Sequence, residues 1–576
     1  MTPPAISRRS APIPESLRDS NLPPLMQQLY ANRGVISAVE VDLALANLLP
    51  PNQLLGIKDA ANLLADAIEG QARVVVVGDF DADGATSCAL AVSVLEQMGL
   101  QEISYLVPNR FEFGYGLSPE IVALAAEREP DLIITVDNGI SSHAGVATAQ
   151  GLGISVLITD HHLPGAELPP AEVIVNPNQP GCDFPSKSLA GVGVMFYVLS
   201  SLRAELRERR WFDEMGIPVP NLADFLDLVA LGTVADVVPL DRNNRILVTA
   251  GLARIRSGRG RPGIDALLEV AGRDGERINS ADLGFVLGPR LNAAGRLDDM
   301  SVGIECLLAK STHEARPLAQ QLQDLNRERR DIEAGMQADA EKVLSGMADV
   351  GDTARFGLCL YDASFHQGVV GILASRLRER HHIPVIVFAD AGDGSLKGSG
   401  RSIEGVHIRD VLDRVAAQCP ELIDKFGGHA MAAGLTLQVD RFDAFRRAFD
   451  TAVAEALQGI VPEAVIATDG PLQSQEMSLP AAQAIIHGGP WGQHFPEPVF
   501  EGEFAVLEQR LLKEKHLKMR LQSGDQVFDA IAFNVDTTAW PDTETSRIGL
   551  VYQLDVNHYR GEERLQLLVR ALWPLA

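Results

Sequence analysis

The chain has 576 residues, a formal net charge of −26 and 46% hydrophobic residues. This length predicts several domains, and the negative charge argues against non-specific binding to nucleic acid by the whole surface. No apolar run reaches the ~20 residues of a membrane-spanning helix. The N-terminal stretch lacks the apolar core of a secretory signal, and the five cysteines form no CxxC pair. We therefore expect a cytoplasmic protein with no membrane contact, no zinc site and no disulfide framework.

Three basic runs stand out against this negative charge, because each could line a local groove for an anionic ligand. They lie at residues 254–262, 326–330 and 510–520. The last run, "RLLKEKHLKMR", alternates in a way that suits a β-strand. A solvated charged face is the alternative interpretation of each run, and the sequence leaves both open.

From about residue 70, short apolar runs alternate with helical stretches. The apolar runs lie at residues 73–77, 103–107, 131–136, 154–159 and 172–175. Continuous apolar strands separated by helices indicate a parallel, doubly wound sheet with both faces covered. Residues 221–238 then fit a helix that runs into a loop.

Apolar residues recur at helical spacing over residues 311–348, which predicts one long helix that connects two lobes. The capping-box pattern "STHE" marks its start at residues 311–314. A second, smaller α/β pattern follows from residue 355 to about residue 458. The remaining chain alternates like the strands of a small barrel or sandwich.

Acidic and imidazole side chains follow three strands of the first α/β region. These residues are Asp79, Asp81 and Asp83 after the first run, Asp137 after "DLIITV", and Asp160, His161 and His162 after "ISVLIT". The carboxyl ends of parallel strands share one edge of the sheet, so we expect these side chains to converge.

A dry cluster of carboxylates and imidazoles needs a cation among its members. The excess of carboxylate without thiolate favours Mn²⁺ or Mg²⁺, and the number of ligands suits two ions that share a bridging carboxylate. Enzymes use such a pair to activate water and to hold a phosphoryl group for in-line attack. A solvated DxD turn and a Rossmann nucleotide site are the alternatives, but no GxGxxG follows the first strand.

Further motifs extend this pattern along the chain in a fixed order. They are "GDFDADGATS" (78–87), "PNRFEFGYGL" (108–117), "TVDNGI" (135–140), "TDHH" (159–162), "ALGTVADVVPL" (230–240), "GPRLNAAGRL" (288–297), "FHQGVVGILASRL" (365–377), "GSGRS" (398–402) and "FGGHAMAAG" (426–434). In these motifs the chain resembles the DHH phosphoesterase family. From about residue 45 to residue 576 it is similar to the bacterial 5′→3′ exonucleases of that family that are specific for single-stranded DNA.

The resemblance implies an α/β fold. A DHH-type parallel-sheet domain would be joined by the long helix to a smaller α/β DHH-associated domain, followed by a C-terminal oligonucleotide-binding β-barrel. We accordingly predict an N-terminal extension, a catalytic domain, a connector helix, a DHH-associated domain and a barrel domain at residues 1–45, 46–310, 311–350, 351–458 and 459–576.

Roles within the site are also implied by the resemblance. One ion would be held by Asp79, Asp81 and Asp137, and the other by Asp83, Asp137, His161 and Asp236. His162 would contact the scissile phosphate, and Asp160 would orient an imidazole. Substrate contacts are implied for Arg110, Arg290, Asn292, Arg296, His366, Ser399, Arg401, Gly428 and His429. For any single arginine or glycine, a salt bridge or a turn is the alternative.

The implied activity is that of an exonuclease with two Mn²⁺ or Mg²⁺ ions, which degrades single-stranded DNA 5′→3′ to mononucleotides in recombination and repair. The strand would thread between the lobes, and "KEKHLKMR" would contact phosphates on the barrel. Phosphate contacts should outweigh base stacking there, because aromatic residues are scarce. Single-strand-binding protein and a helicase are suggested as partners. A DHH enzyme for short oligonucleotides or small nucleotides, and a non-catalytic single-strand-binding factor, stay open as alternatives.

Overall fold

The computed structural model describes residues 3–108, 116–349, 356–460, 463–542, 544–559 and 561–575. Contacts divide the chain into two compact units, of which one comprises residues 1–323 and 466–576 and the other residues 324–465. Among the described residues, none of the helices combines the length and apolar character that crossing a lipid bilayer requires.

The N-terminal region consists of short elements before the first long helix. They are β1 (Ala5–Arg8), α1 (Glu15–Arg18), α2 (Pro24–Ala31) and α3 (Ile57–Glu69). This region packs against the C-terminal segment of the same unit. Arg33 forms a buried bidentate ion pair with Asp469, with both N–O distances at 3.0 Å, and Tyr30 stacks on Trp491. The N-terminal region is thus part of the first unit's core.

A five-stranded parallel sheet with the order β3-β2-β4-β5-β6 forms the centre of the first unit, as predicted. Its strands and the helices between them are β2 (Val74–Gly78), α4 (Ala82–Gln97), β3 (Ile103–Leu106), α5 (Pro119–Ala126), β4 (Leu132–Val136), α6 (His143–Gly151), β5 (Ser155–Thr159) and β6 (Val173–Val175). Strands β2 and β4 are buried along their whole length. Their continuous β-branched runs suit a sheet that is covered on both faces.

Helices complete this part of the first unit. They are α7 (Gly191–Glu208), α8 (Trp211–Met215), α9 (Leu226–Ala235), α10 (Arg242–Arg254), α11 (Pro262–Val270), α12 (Ser280–Asp282), α13 (Gly288–Leu297) and α14 (Ser301–Leu308). Two arginines of the basic run at 254–262 make contacts within this unit. Arg254 pairs with Asp224 at 2.8 Å, and the Arg261 guanidinium lies 5.0 Å from the Phe225 ring centroid.

The predicted long helix is present as α15 (Thr312–Asp349). Its predicted capping box is half formed. Ser311 Oγ accepts a hydrogen bond from Glu314 N at 3.3 Å, whereas the Glu314 carboxylate accepts from Lys310 N and not from Ser311 N. The helix start therefore agrees with the sequence, and only the reciprocal bond differs.

The second unit contains a mixed sheet with the order β10-β11-β9-β8-β7, in which only β7 and β8 are parallel. Its elements after α15 are β7 (Leu358–Tyr361), α16 (Val370–His381), β8 (Val385–Asp390), β9 (Ser395–Arg401), α17 (Ile408–Gln418), β10 (Lys425–Gly428), β11 (Ala432–Gln438) and α18 (Phe442–Ala456). Two apolar clusters, one on each face of the sheet, hold these helices to it.

The C-terminal region forms a closed five-stranded barrel, as predicted, with neighbours in the order β13-β14-β15-β17-β16. Two elements precede the barrel, β12 (Val465–Thr468) and α19 (Leu479–His487). The barrel strands are β13 (Phe500–Leu512), β14 (His516–Ser523), β15 (Gln526–Ala532), β16 (Arg547–Tyr559) and β17 (Glu562–Pro574). The sequence pattern missed helix α19, which precedes the barrel strands. Strand β14 buries Leu517, Met519 and Leu521 and turns the intervening residues outward.

Candidate metal centre

The register of the parallel sheet brings the three acidic strand ends together. Gly78 at the end of β2 lies beside Val136, and Val136 lies beside Thr159 at the end of β5. The next residue of each strand is an aspartate: Asp79, Asp137 and Asp160. Convergence at the carboxyl edge, which the sequence predicts, therefore follows directly from the strand pairing.

Backbone N–H groups hold the first acidic loop in place. Asp79 Oδ1 accepts from Phe80 N at 2.8 Å. Asp81 is the N-cap of α4, and its Oδ1 accepts from Asp83 N at 2.9 Å and Gly84 N at 3.1 Å. A carboxylate at this position also interacts favourably with the positive end of the helix dipole. The loop is thus fixed before any ligand binds.

Asp83 points away from its own helix and meets the N-terminus of α7. Its Oδ2 accepts from Gly191 N at 2.6 Å, and its Oδ1 accepts from Val192 N at 3.0 Å. Gly191 also allows a close approach to Asp137, since a Cβ atom at residue 191 would lie 2.6 Å from Asp137 Cβ. A glycine is required here by packing, because a Cβ contact under 3.0 Å forces a displacement.

Asp137 is buried and has a positive φ of 61°. An aspartate adopts this left-handed conformation more readily than most residues, but it still has a cost that the surroundings must offset. The next residue provides such support, because Asn138 Nδ2 donates to Val77 O at 3.1 Å and to Val136 O at 2.9 Å. The "TVDNGI" motif contained Asn138, but its role was not recognised from the sequence.

The "TDHH" segment is organised by Asp160. Asp160 Oδ1 accepts from His161 N, His162 N and His162 Nδ1 at 2.7, 3.1 and 2.7 Å, while Oδ2 accepts from Ile140 N at 2.9 Å. With its oxygens engaged in this way, Asp160 orients the imidazole of His162. His161 Nε2 instead lies 3.1 Å from Asp137 Oδ1 and 3.4 Å from Asp236 Oδ2.

Three groups of side chains, which share some members, could each hold a metal ion. Within each group, the possible ligand atoms all lie within 4.8 Å of one another. The groups are Asp79, Asp81 and Asp137; Asp83, His161 and Asp236; and Asp137, His161 and His162. Asp236 follows the last residue of α9 and belongs to the second group. The structure therefore brings together all six residues for which a metal-ligand role is expected.

The donor set fits divalent cations. His161 Nε2 and Asp236 Oδ2 are buried and make no hydrogen bond within the described part of the chain, although unsatisfied buried polar atoms are costly. Carboxylate oxygens with one imidazole nitrogen suit Mn²⁺ or Mg²⁺. Asp79, Asp81 and Asp137 would hold one ion, and Asp83, His161 and Asp236 would hold the other. Asp137 Oδ1 lies 3.1 Å from His161 Nε2, so Asp137 could also serve the second ion.

The pKa values of the carboxyl groups reflect burial beside like charges. Burial and the charge of Asp83 raise the pKa of Asp137 well above its usual range, and the same two causes raise the pKa of Asp236. Burial and Asp81 raise the pKa of Asp83 to about 7, although the N–H groups of α7 act in the opposite direction. A cation among these groups would favour their ionised forms.

The two histidines have opposite electrostatic environments. Burial and the neighbouring His162 lower the pKa of His161 to about 4, so its ring is neutral at pH 7 and can donate a lone pair to a metal. Burial alone would lower the pKa of His162, but the hydrogen bond and charge of Asp160 raise it to about 9. His162 therefore carries a positive charge at neutral pH, which suits contact with a phosphate.

Helix α13, which contains the "GPRLNAAGRL" motif, abuts the acidic loop. Asn292 Oδ1 accepts from Ala82 N at 2.7 Å, and a Cβ atom at Gly295 would lie 1.8 Å from Phe80 O. Arg290 is buried, and its guanidinium donates to Gln323 Oε1 and Val286 O. The amide of Asn292 thus supports the metal loop, a role that the sequence did not indicate. Arg110 lies outside the described residues.

In the second unit, the candidate substrate residues lie on adjacent elements. Arg401 Nη1 approaches Ser399 Oγ at 3.3 Å on β9, and Gly371 on α16 leaves room for both side chains. His366 precedes α16, and its Nδ1 accepts from Gly368 N at 3.1 Å. Gly428 and His429 lie at the end of β10, where φ of Gly428 is 149°. Their contact with substrate stays a prediction.

A carboxylate and imidazole cluster at the carboxyl edge of a parallel sheet is typical of a metal-dependent hydrolase, and the family models identify the class as DHH. Family models agree with this: the DHH family N-terminal domain matches residues 73–233, the DHHA1 domain residues 355–455 and the RecJ OB domain residues 468–571.

Comparison with individual proteins narrows the class to one family. The single-stranded-DNA-specific exonuclease RecJ of Salmonella typhimurium is 56% identical over 558 residues, which cover 96% of this chain and 97% of that protein. The crystal structure of Thermus thermophilus RecJ with Mn²⁺ has a TM-score of 0.80 at 30% identity and covers 99% of this chain and 80% of that one. The crystal structure of the same protein with Mg²⁺ has a TM-score of 0.74 at 28% identity and covers 99% of this chain and 79% of that one. The chain belongs to the RecJ family of single-stranded-DNA-specific exonucleases.

Proposed function

We propose that this protein is a two-metal exonuclease that degrades single-stranded DNA 5′→3′ to mononucleotides during recombination and repair. The observation that carries the proposal is the convergence at the sheet edge of six side chains that could ligate metal, of which Asp79, Asp83 and Asp137 are buried and Asp81, His161 and Asp236 are half-buried. These six residues would hold two Mn²⁺ or Mg²⁺ ions, which would supply Lewis-acid chemistry by lowering the pKa of water and neutralising charge on the phosphoryl oxygens.

The protein's own residues orient the scissile phosphate. His162 Nδ1 is held by Asp160 Oδ1 at 2.7 Å, so its imidazole is oriented to contact a phosphate oxygen. Helix N-termini fix Asp81 and Asp83, which removes the cost of organising these carboxylates during the reaction. Asp137 would serve both sets of ligands, because its carboxylate groups with Asp79 and Asp81 and also lies 3.1 Å from His161 Nε2.

Substrate selection would rest on the strand backbone. We assign phosphate contacts to Arg110, Arg290, Asn292, Arg296, His366, Ser399, Arg401, Gly428 and His429. Phosphate contacts position a strand without reading its sequence, so sequence preference should be weak. We also propose the domain limits given above and a cytoplasmic location. The proposed protein partners are single-strand-binding protein and a helicase.

The test is the variant Asp137→Ala. It removes the shared ligand, and we expect nuclease activity with Mn²⁺ or Mg²⁺ to fall by more than about 100-fold, since even outer-sphere changes cost 10- to 100-fold. Circular dichroism should show an intact fold. Near-normal turnover by a folded variant would contradict the two-metal proposal.

The substrate class is tested on the wild-type protein with end-labelled single-stranded DNA, duplex DNA, short RNA and dinucleotides. We expect mononucleotides released from single-stranded DNA alone, beginning at the 5′ end. Turnover restricted to dinucleotides would indicate a small-nucleotide phosphoesterase, and binding without any cleavage would indicate a non-catalytic factor.

A further inference from the structure

The strand next to the "TDHH" segment ends in an asparagine instead of an aspartate. Val175, the last residue of β6, lies beside Thr159 at the end of β5, and its carbonyl accepts from Asp160 N at 3.1 Å. Asn176 therefore emerges beside Asp160, at the same carboxyl edge as the acidic strand ends. Asn176 is completely buried. Its side chain carries no charge, so it acts on its surroundings through hydrogen bonds.

The amides of Asn176 and Asn178 hold the backbone of both histidines. Asn176 Nδ2 donates to His162 O at 2.9 Å, and Asn178 Nδ2 donates to His161 O at 2.6 Å. Asn176 Oδ1 accepts from Asn178 N at 2.7 Å, which fixes the two amides relative to each other. Both consecutive histidine carbonyls are thus engaged, so rotation of either peptide breaks a hydrogen bond.

Asn178 also connects His161 to the segment that leads into helix α7. Its Nδ2 atom donates a second hydrogen bond, to Lys187 O at 3.1 Å. An amide nitrogen has two hydrogens, and both are used here to join two backbone segments. Helix α7 begins at Gly191, whose N–H group holds Asp83. Asn178 therefore links the backbone of one proposed metal ligand, His161, to the helix that fixes another, Asp83.

Asn244 on α10 makes the corresponding link to Asp236. It is completely buried, and its Nδ2 atom donates to Ser188 O at 2.6 Å and to Pro239 O at 3.0 Å. Ser188 follows Lys187 in the chain, and Pro239 lies three residues after Asp236. Asn178 and Asn244 thus hold neighbouring carbonyls of the segment before α7. Together they connect this segment to the backbone near both other ligands of the same ion.

These bonds differ from the usual behaviour of asparagine in loops, which is to bond to backbone nearby in the sequence. The bonds from Asn176, Asn178 and Asn244 to His162, His161 and Ser188 span 14, 17 and 56 positions.

Gln179, in the same loop, provides a contrast. Its Nε2 atom donates to Leu55 O at 3.2 Å and to Ile174 O at 3.0 Å, and neither carbonyl is next to a proposed metal ligand. Gln179 therefore stabilises the loop without a link to the metal centre.

We propose that Asn176, Asn178 and Asn244, here called the asparagine bracket, are positioning residues for the metal centre. The bracket fixes the backbone around one group of ligands before an ion binds, which lowers the cost of assembling that group. The group consists of Asp83, His161 and Asp236. Through the carbonyl of His162, Asn176 also orients the imidazole that contacts the phosphate. This inference rests on the proposed function in taking divalent cations as the ligands of this site.

The metal role is tested by Asn178→Ala and Asn244→Ala in the full chain, with Mn²⁺ binding measured by titration calorimetry in the absence of DNA. The wild type should bind two Mn²⁺ ions. Groups that orient metal ligands typically contribute 10- to 100-fold to metal affinity. Each variant should therefore bind one of the two ions about 10- to 100-fold more weakly and the other ion like the wild type.

Gln179→Ala is the matched control, because Gln179 is buried in the same loop and the change also removes two bonds from an amide to backbone carbonyls. Its melting temperature should fall about as much as that of Asn178→Ala, but its Mn²⁺ affinity should stay unchanged. If Gln179→Ala weakens Mn²⁺ binding as much as Asn178→Ala does, loosening of the loop is the cause and the inference is overturned.

Asn178→Gln covers the case in which the alanine variants do not fold. It keeps an amide with two donors, so the loop stays bonded, but one extra methylene displaces the carbonyls that the amide holds. This variant should also bind one Mn²⁺ ion more weakly. Full affinity for both ions in every folded variant of the bracket would overturn the inference.

Asn176→Ala separates the role of His162 from that of the ion, with nuclease activity measured as Mn²⁺ is raised to saturation. Turnover by Asn178→Ala should recover at saturating Mn²⁺, because only occupancy by the ion is lost. Turnover by Asn176→Ala should stay low by up to about 100-fold, because His162 is misplaced at the reacting centre. Full recovery of Asn176→Ala at saturating Mn²⁺ would overturn the role assigned to Asn176.

The two proposals fail in different ways. A wild type that binds no Mn²⁺, or that binds it without cleaving single-stranded DNA, would contradict the proposed function. A wild type that binds two Mn²⁺ ions and cleaves DNA, while every bracket variant matches it, would contradict the asparagine bracket alone.

Discussion

The metal centre and the outer face of the barrel both place like charges side by side, but they differ in burial. At the metal centre, Asp83 and Asp137 are almost completely buried, so their repulsion is weakly screened and shifts their pKa values. On the barrel, Arg510 on β13 and Lys518 on β14 form a directly opposed cation pair. Arg510 is exposed, and its repulsion from Lys518 is reduced by water and salt. The same arrangement is therefore costly in one region and inexpensive in the other.

This difference indicates what each region can bind. Buried carboxylates that are fixed by backbone N–H groups cannot move apart, so a compact, highly charged cation is the ligand that relieves them. Exposed cations on long side chains adapt to a flexible polyanion and release it easily. The first arrangement suits a resident cofactor and the second suits a strand that moves through.

The largest effect that would sharpen this comparison is expected from Gly191→Ala. A Cβ atom at this position would lie 2.6 Å from Asp137 Cβ, so the carboxylate or the N-terminus of α7 must shift. A misplacement of about 1 Å at a reacting centre can cost roughly 100-fold in rate. We therefore expect nuclease activity with Mn²⁺ to fall about 100-fold in a steady-state assay.

Gly151→Ala is the control, because Gly151 ends helix α6 in the same unit and a Cβ atom there meets nothing within 4 Å. This variant should keep full activity and an unchanged or slightly higher melting temperature. Full activity of a folded Gly191→Ala variant would show that the rigidity ascribed to the metal centre is not needed.

The parallel sheet and the acidic strand ends could be predicted from the sequence, because buried parallel strands leave continuous apolar runs and their carboxyl ends must share an edge. Asp79, Asp137 and Asp160 follow from that rule alone. Asp236 does not, since it follows a helix and not a strand, and only the family resemblance pointed to it.

Other parts of the site depend on contacts between distant segments. The clamp of Asp83 by the N-terminus of α7 joins residues 108 positions apart, and the bond from Ala82 N to Asn292 spans 210 positions. Local sequence patterns cannot predict hydrogen bonds between residues so far apart in the chain. Likewise, the barrel strands could be predicted from alternation, but the opposition of Arg510 and Lys518 depends on strand register, which the sequence does not fix by itself.

A smaller effect should appear in the melting temperature of Asp236→Asn in EDTA. The raised pKa of Asp236 means that the folded protein binds its proton more tightly than the unfolded chain does. Wild-type stability should therefore fall as pH rises above about 4, the usual aspartate pKa. Asparagine cannot ionise, so the variant should melt close to the wild type near pH 4 and above it at pH 8.

Added Mn²⁺ should reverse the order of the two melting temperatures at pH 8, so that the wild type melts above Asp236→Asn. A ligand that binds only the folded state stabilises it in proportion to the logarithm of its concentration, and the wild type keeps the full ligand set. If the difference in melting temperature between the two proteins in EDTA does not change with pH, the buried like charges do not destabilise the metal centre.

The smallest effect is expected on the barrel, from Arg510→Glu. This change places a carboxylate directly opposite Lys518, and an opposite-charge cross-strand pair is worth about 0.2–1 kcal/mol. The melting temperature at low salt should rise by less than about 2 °C, the rise should vanish at high salt, and affinity for oligo-dT should fall. Arg520→Glu is the matched control, because it would put a third acid between Glu508 and Asp529 and should lower the melting temperature. A gain in stability together with a loss of affinity in Arg510→Glu would mean that the cation pair is kept for the strand, as the carboxylates are kept for metal. A loss of both would mean instead that Arg510 serves the fold.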